Sequence, residues 1–383
     1  MLRMKTIGLN ALLLSPRVGG VGVYMQNLID RMDQEKRSAW QFKIFMSADE
    51  HARSPLAYRS SKFVPVSIYS SSPMLRLCKE KSGWQAILDK NAIDLFHSPI
   101  SYISPGVRIP YLLTVHDLRF AHYPESYKKM RWHFLRYAIP RSLERAEKII
   151  AVSNFTKNDM ISSLGINPDK IVVIHEGIDA KLFSRHYDDE EAEQIRKRLE
   201  LPARYLFSVG HLEPRKNYVR LLQAFSILKH TVADLPALVI VGKKNWRAEQ
   251  VKKAIRRYRL QKEVMMLDFV DAHSLPFLYQ NAVAFIAPSV FEGFGFTPLE
   301  SMAAGVPVAA ANASSYPEIC GDAALYFDPY NPDDMAEKIR QLVEDEKLRC
   351  HVVQSGFENI KKYRWDSCVS QTLKLYEHCI QSL

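Results

Sequence analysis

The chain has 383 residues, too many for one ordinary core, so two domains or one large α/β unit are expected. With 47% hydrophobic and 25% charged residues and no low-complexity tract, it reads as globular, and a disordered or fibrous chain is excluded. The net charge of +10 is lopsided: residues 1–180 hold 25 Lys and Arg against 16 Asp and Glu, the rest 27 against 26, which favours an anionic partner for the first half.

From the N-terminus, "MLRMKTIGLNALLL" reads as a first strand rather than a signal peptide, because no small-residue cleavage site follows it and "GGVG" comes next. The strand-like runs "FKIFMS", "LFHSP", "YLLTVHD", "KIIAVS" and "KIVVIHEG" follow. An acidic, helix-forming stretch at 188–200 and the "LPARY" break interrupt the series. The rhythm then restarts with "YLFSVG", "ALVIVG", "VMMLDFV", "VAFIAPS" and "VPVAAA", separated by amphipathic helices. Two successive β-α series predict an α/β protein of two doubly wound, Rossmann-like domains with parallel sheets, dividing near 180–203. The last segment, "YRWDSCVSQTLKLYEHCIQSL", reads as a helix.

The longest apolar runs fall far short of the roughly 20 residues that span a bilayer. Five scattered cysteines (Cys78, Cys320, Cys350, Cys368 and Cys379) form no C-x-x-C pair, which favours a reducing cytoplasm and disfavours a zinc site. In 125–148, Lys128, Lys129, Arg131, Arg136, Arg141 and Arg145 interleave with Trp132, Phe134, Leu135 and Tyr137. This is either a basic amphipathic surface for an anionic membrane or an ordinary helix with its apolar face in the core. Pro140 is expected to break it in two.

Ligands of doubly wound sheets sit outside the carboxyl ends of strands, so the residues just after each strand carry the chemistry. After "YLFSVG" comes "HLEPRKN", with Arg215 and Lys216 just before a predicted helix capped by Asn217: an anion site, or two solvated loop cations. After "VAFIAPS" comes "FEGFGFTPLESMAAGVPV", in which Glu292 and Glu300 flank a glycine turn. Thr297 and Pro298 look like a helix start, so Glu300 reads as the reciprocal partner of Thr297 in a capping box. Glu292 has no capping role; it is a loop acid or a ligand group. A helix N-terminus suits phosphate, and flanking carboxylates suit hydroxyls, so a ligand with both diphosphate and sugar satisfies the segment.

The E-x7-E pair of Glu292 and Glu300, preceded by "EPRKN" after a strand, resembles family 4 of the retaining nucleotide-sugar glycosyltransferases, which have the GT-B fold. "GGVGVYMQNL", "TVHDL", "AVSNFTKNDM" and "SSYPEICGDAALYFDP" extend the likeness over nearly the whole chain. The resemblance implies two Rossmann-like domains facing a central cleft. Residues 1–183 would bind acceptor, completed by the C-terminal helix 364–383, and 184–363 would bind the nucleotide sugar. Arg215 and Lys216 would clamp the donor diphosphate, Glu300 the ribose hydroxyls, and Glu292 the sugar near its 3- and 4-hydroxyls with the amides of Gly293, Phe294, Gly295 and Phe296. His116 would face the sugar's 6-hydroxyl, and Gly19 and Gly20 would approach the diphosphate and acceptor. The base would be read by backbone and loops around 243–271, with Val270 among the donor-binding positions. The family commonly has arginine where this chain has His211, a charge that Arg215 would supply.

No D-x-D occurs, so a bridging metal like that of other transferase folds is not implied, and no other cofactor is expected. The "HDL", "YPE" and "GDAALYFDP" stretches resemble mannosyltransferase-like members, which favours mannose from GDP-mannose over UDP-glucose or a deoxyhexose donor. The expected acceptor is a hydroxyl of a lipid-linked or membrane-associated saccharide, such as a polyprenyl-diphosphate-linked one, in bacterial surface polysaccharide synthesis, with the enzyme cytoplasmic and peripheral on the inner membrane face. Nucleic acid is not an expected partner. A GT-B nucleotide-sugar epimerase and a non-catalytic sugar-nucleotide-binding protein are the other classes.

Overall fold

The computed structural model describes residues 4–14, 19–32, 40–48, 62–66, 83–242 and 248–382. Cys78 and residues 243–247, the front of the loop expected to read the base, lie outside them.

The first unit is built on seven parallel strands: β1 (Lys5–Asn10), β2 (Trp40–Ser47), β3 (Phe63–Val66), β4 (Leu95–Ser98), β5 (Tyr111–Val115), β6 (Lys148–Ala151) and β7 (Ile171–Val173). Their order is β3-β2-β1-β4-β5-β6-β7. Every residue of β4 and β5 is buried, as parallel strands covered on both faces require. Helix α1 (Gly20–Met32) follows β1, and α2 (Lys129–Arg145) lies between β5 and β6.

The second unit has six parallel strands: β8 (Tyr205–Val209), β9 (Ala237–Val241), β10 (Val264–Leu267), β11 (Ala284–Ala287), β12 (Val308–Ala311) and β13 (Leu325–Phe327). Helix α3 (Tyr218–Thr231) follows β8, α4 (Leu275–Gln280) precedes β11, and α5 (Phe296–Ala303) follows it. The order β10-β9-β8-β11-β12-β13 runs outward from β8 and then returns beside it at β11. Such a reversal opens a crevice at the carboxyl ends of the two central strands. The segments carrying Arg215 and Glu292 are the ones that leave those two ends.

Two strands absent from the sequence reading, β3 and β13, are both sheet edges of at most four residues. Pro65 sits within β3, where an edge tolerates its missing N–H.

The compact units are Met1–Glu176 with Trp365–Leu383, and Gly177–Arg364. The chain therefore changes unit at 176/177, not at 183/184. Phe183 belongs to the second unit because its ring meets Tyr279 edge-on at 5.5 Å and its carbonyl accepts from Gln280 Nε2 at 2.7 Å. The final helix, α6 (Trp365–Gln381), docks on the first unit, where the Tyr376 hydroxyl lies 2.6 Å from His97 Nδ1.

Helix α2 runs unbroken through Pro140, contrary to the expected break. Arg136, whose carbonyl loses its partner, is on the exposed side, and Ser142 ties the following turn down by donating to Ala138 O at 2.8 Å and accepting from Ile103 N at 3.1 Å. The buried face is Leu135, Ala138, Ile139, Ser142 and Leu143. Trp132 and Phe134 also turn inward, the former donating to Phe120 O and the latter packing on Tyr102. Lys128, Lys129, Arg131, Arg136, Arg141 and Arg145 stay exposed, with Met130 and Tyr137 the large apolar side chains beside them.

Candidate active site

After β8 the chain makes a 3-10 turn, Pro214–Lys216, and Asn217 adopts the left-handed conformation at φ 59° before α3 begins. Asn217 is the N-cap residue by position, but its side chain does not cap: its Nδ2 donates to Pro329 O at 2.7 Å. The tight turn drives Arg215 and Lys216 inward, leaving them 6% and 8% exposed, so the reading of solvated loop cations fails. Gly210 makes room for the lysine. At φ +154°, a Cβ there would lie 3.1 Å from Lys216 Cε.

The chain leaving β11 meets this turn, with Val290 N donating to Arg215 O at 2.8 Å. Glu292 is thereby placed between both cations: Arg215 Nη1 is 2.9 Å from its Oε2, and Lys216 Nζ donates to its Oε1. Ser314 Oγ accepts from the Glu292 amide at 3.1 Å and fixes the backbone. Glu213 holds the other edge of Arg215, with Oε2 3.1 Å from Nε. Burial opposes ionisation of Glu292, yet Arg215 and Lys216 carry its carboxyl down to about 2. Burial pushes Lys216 down, against the pull of Glu292. Two cations facing two carboxylates leave the cluster ordered and nearly neutral.

Helix α5 starts two residues earlier than a Thr297 cap would have it. Its N-cap is Gly295, at φ 111°, and no side chain caps it. A Cβ at 295 would come within 2.9 Å of the Tyr316 ring. The capping box is therefore not formed: Thr297 lies inside the helix with its hydroxyl against Tyr316, and Glu300 is left to another partner. That partner is Tyr279 of α4, whose hydroxyl donates to Glu300 Oε2 at 2.6 Å. Burial raises Glu300 to about 7, with Tyr279 and the nearby Lys216 opposing. Phe294 is buried against Phe296 and Tyr363, and Ser315 Oγ donates to its carbonyl at 2.5 Å. Val270, just past β10, is likewise buried.

In the first unit, His116 follows β5 with Nδ1 3.1 Å from Glu176 Oε1, and Tyr24 of α1 packs its ring against the imidazole at 5.1 Å and 79°. Its Nε2 is buried and has no hydrogen-bond partner among the described residues. Burial raises the Glu176 carboxyl, and His116 counteracts it. Gly20 is the first residue of α1, and Gly19 precedes it. A Cβ on Gly19 would touch nothing among the described residues.

Thus Arg215, Lys216 and Glu292 form one contact cluster with Glu300 in electrostatic reach, while His116, Gly19 and Gly20 belong to the other unit. Sequence reasoning missed Glu213, Glu176, Tyr24 and Tyr279. Glu213 and Glu176 follow strands, the place where ligand-side groups are sought. Tyr24 and Tyr279 carry no local signal. Among the described residues no group of three or more His, Cys, Asp and Glu side chains could hold a metal ion, and no helix is long and apolar enough to cross a membrane.

Comparison with known proteins agrees with this architecture. Residues 18–182 match the family described as Glycosyltransferase Family 4, and 189–358 match Glycosyl transferases group 1. O-antigen chain mannosyltransferase B of Escherichia coli is 30% identical over 282 residues, covering 72% of this chain and 74% of that protein. Among solved structures, sucrose-phosphate synthase of Thermosynechococcus elongatus superposes with a TM-score of 0.80 over 99% of this chain and 100% of its own, at 19% identity. The Anabaena protein HepE, in complex with UDP and glucose, gives 0.74 over 98% and 100%, also at 19%. The chain belongs to the group 1 and family 4 glycosyltransferases and has the GT-B fold of two parallel-sheet, Rossmann-like domains.

Proposed function

We propose that this glycosyltransferase moves a hexose, with mannose from GDP-mannose as the first choice, to a hydroxyl of a lipid-linked or membrane-associated saccharide in bacterial surface polysaccharide synthesis. The observation that carries the reading is the buried Arg215–Lys216–Glu292 cluster at the strand-order reversal, with Glu300 beside it. The named activity of the 30% identical relative supports the choice of sugar and acceptor.

In this reading the donor diphosphate takes up charge from Arg215 and Lys216 at the uncapped start of α5. Glu292 then accepts hydrogen bonds from the sugar's 3- and 4-hydroxyls, helped by the backbone of Gly293–Phe296, and Glu300 accepts them from the ribose. His116 Nε2 is assigned the sugar's 6-hydroxyl, and Val270 contributes backbone near the base. Gly19, where a Cβ would meet nothing among the described residues, would let phosphate or acceptor come close to the main chain.

The anomeric carbon–phosphate oxygen bond breaks as the acceptor oxygen bonds to the same face of that carbon. The departing phosphate oxygen takes the acceptor's proton, and the two cations stabilise its charge without a metal. Configuration is retained.

A screen of GDP-, UDP- and dTDP-sugars with a lipid-linked saccharide acceptor tests this, read by nucleotide release and by NMR of the new anomeric centre. An inverted product, or release of free sugar without acceptor, overturns the reading. The exposed cations of α2 would attach the first unit to anionic lipid. Flotation with phosphatidylglycerol vesicles should fall as salt rises, and absent or salt-insensitive binding refutes it.

A further inference from the structure

We propose that Tyr279 is the positioning residue for Glu300, its hydroxyl holding one carboxylate oxygen so that the other is presented to the ribose hydroxyls of the bound nucleotide. This rests on the assignment of Glu300 to the ribose and goes beyond it.

The geometry divides the carboxylate into two ends. Oε2 accepts from Tyr279 at 2.6 Å, whereas Oε1 takes no hydrogen bond from the described residues and is not sealed from solvent. Tyr279 has no freedom to point elsewhere. It is fully buried, and its ring is boxed edge-on by Phe183 at 5.5 Å and Phe207 at 4.9 Å, with Phe285 tilted against it at 5.2 Å. These contacts come from three separate elements, so the hydroxyl is aimed by the core of the unit.

A buried tyrosine needs some acceptor, and main-chain carbonyls would suffice. Tyr111, Tyr187, Tyr205 and Tyr326 donate to the carbonyls of Ser142, His273, Leu278 and Gly321. Tyr279 is instead spent on a carboxylate. The choice of a neutral donor has a chemical consequence. A lysine or arginine there would neutralise Glu300, as Arg215 and Lys216 do Glu292, and would weaken it as an acceptor of ribose hydroxyls. A phenol orients the carboxylate without pairing its charge. Burial raises the Tyr279 pKa well above the ordinary value, so the hydroxyl remains a donor at any working pH.

The test is a cycle run with two ligands, GDP and 2′,3′-dideoxy-GDP (UDP and its dideoxy form if UDP binds more tightly), by calorimetry on the full chain. Tyr279→Phe keeps the ring and removes the hydroxyl. It should weaken GDP about tenfold while leaving dideoxy-GDP unchanged, because the interaction lost is one to a charged group that serves only the ribose. Glu300→Gln should show the same ribose-selective loss, and the double variant little more than either alone. Thermal unfolding of Tyr279→Phe at the wild-type temperature shows that the ring still packs on Phe183, Phe207 and Phe285 and guards against a folding artefact. Equal weakening of both ligands by Tyr279→Phe makes the tyrosine merely structural and overturns the proposal. Ribose-selective loss in Glu300→Gln but not in Tyr279→Phe overturns it while sparing the Glu300 assignment. Loss of that selectivity in Glu300→Gln itself removes both.

Discussion

Glu292 and Glu300 stand at the two ends of one segment, yet their surroundings drive them in opposite directions. Glu292 is gripped by two buried cations and falls to about 2, whereas Glu300 is half-buried beside a neutral phenol and rises to about 7. One acid is a fixed charge that orders two buried cations; the other is poised to gain or lose a proton near neutrality. Spacing made them a pair, and environment made them different.

The largest effect should come from removing a cation that Glu292 holds. Lys216→Ala is expected to lower turnover about 10²–10³-fold, as loss of one preorganised group facing a leaving oxygen does, with thermal unfolding confirming an intact fold. A variant near wild-type activity would sink the assigned role.

Next, Glu292→Gln and Glu300→Gln should separate the two acids. The first removes the internal counter-charge, so GDP should bind as tightly or more tightly while transfer falls about tenfold or more. The second should weaken GDP about tenfold. Similar behaviour of the two variants in a binding titration would erase the distinction between the two acids.

Smaller still is the pH effect. The ionised form of Glu300 accepts the ribose hydroxyls, so GDP affinity should climb as pH rises through about 7, beyond any change that persists in Glu300→Gln. Lys216 and Tyr279 are the groups facing it. Glu292 contributes no slope there. Its own linkage to stability is present above the ordinary 4.5 and is lost as pH falls towards about 2. Glu300 has the reverse sign: its raised value costs stability as pH rises from 4.5 to about 7, which pH-dependent melting of the two Gln variants would resolve. Smallest is Glu213→Gln, which loosens Arg215 at one edge only and should raise the donor KM about threefold.

The local grammar of the chain settled a great deal. Buried strands alternating with amphipathic helices declared two parallel-sheet units, and the strand ends located Arg215, Lys216 and Glu292, because hydrophobic period and turn residues are properties of neighbours in sequence. Partnership between distant residues was decided only by folding. Lys216 and Glu292 are 76 residues apart and meet because β8 and β11 adjoin. Glu300 looked like a cap for Thr297, three residues away, but Gly295 took that place and Tyr279, on another helix, took the carboxylate. The edge strands β3 and β13, too short to show a period, and the unbroken α2 followed the same rule. Burial and long-range contact override local preference, and a sequence read in windows carries neither.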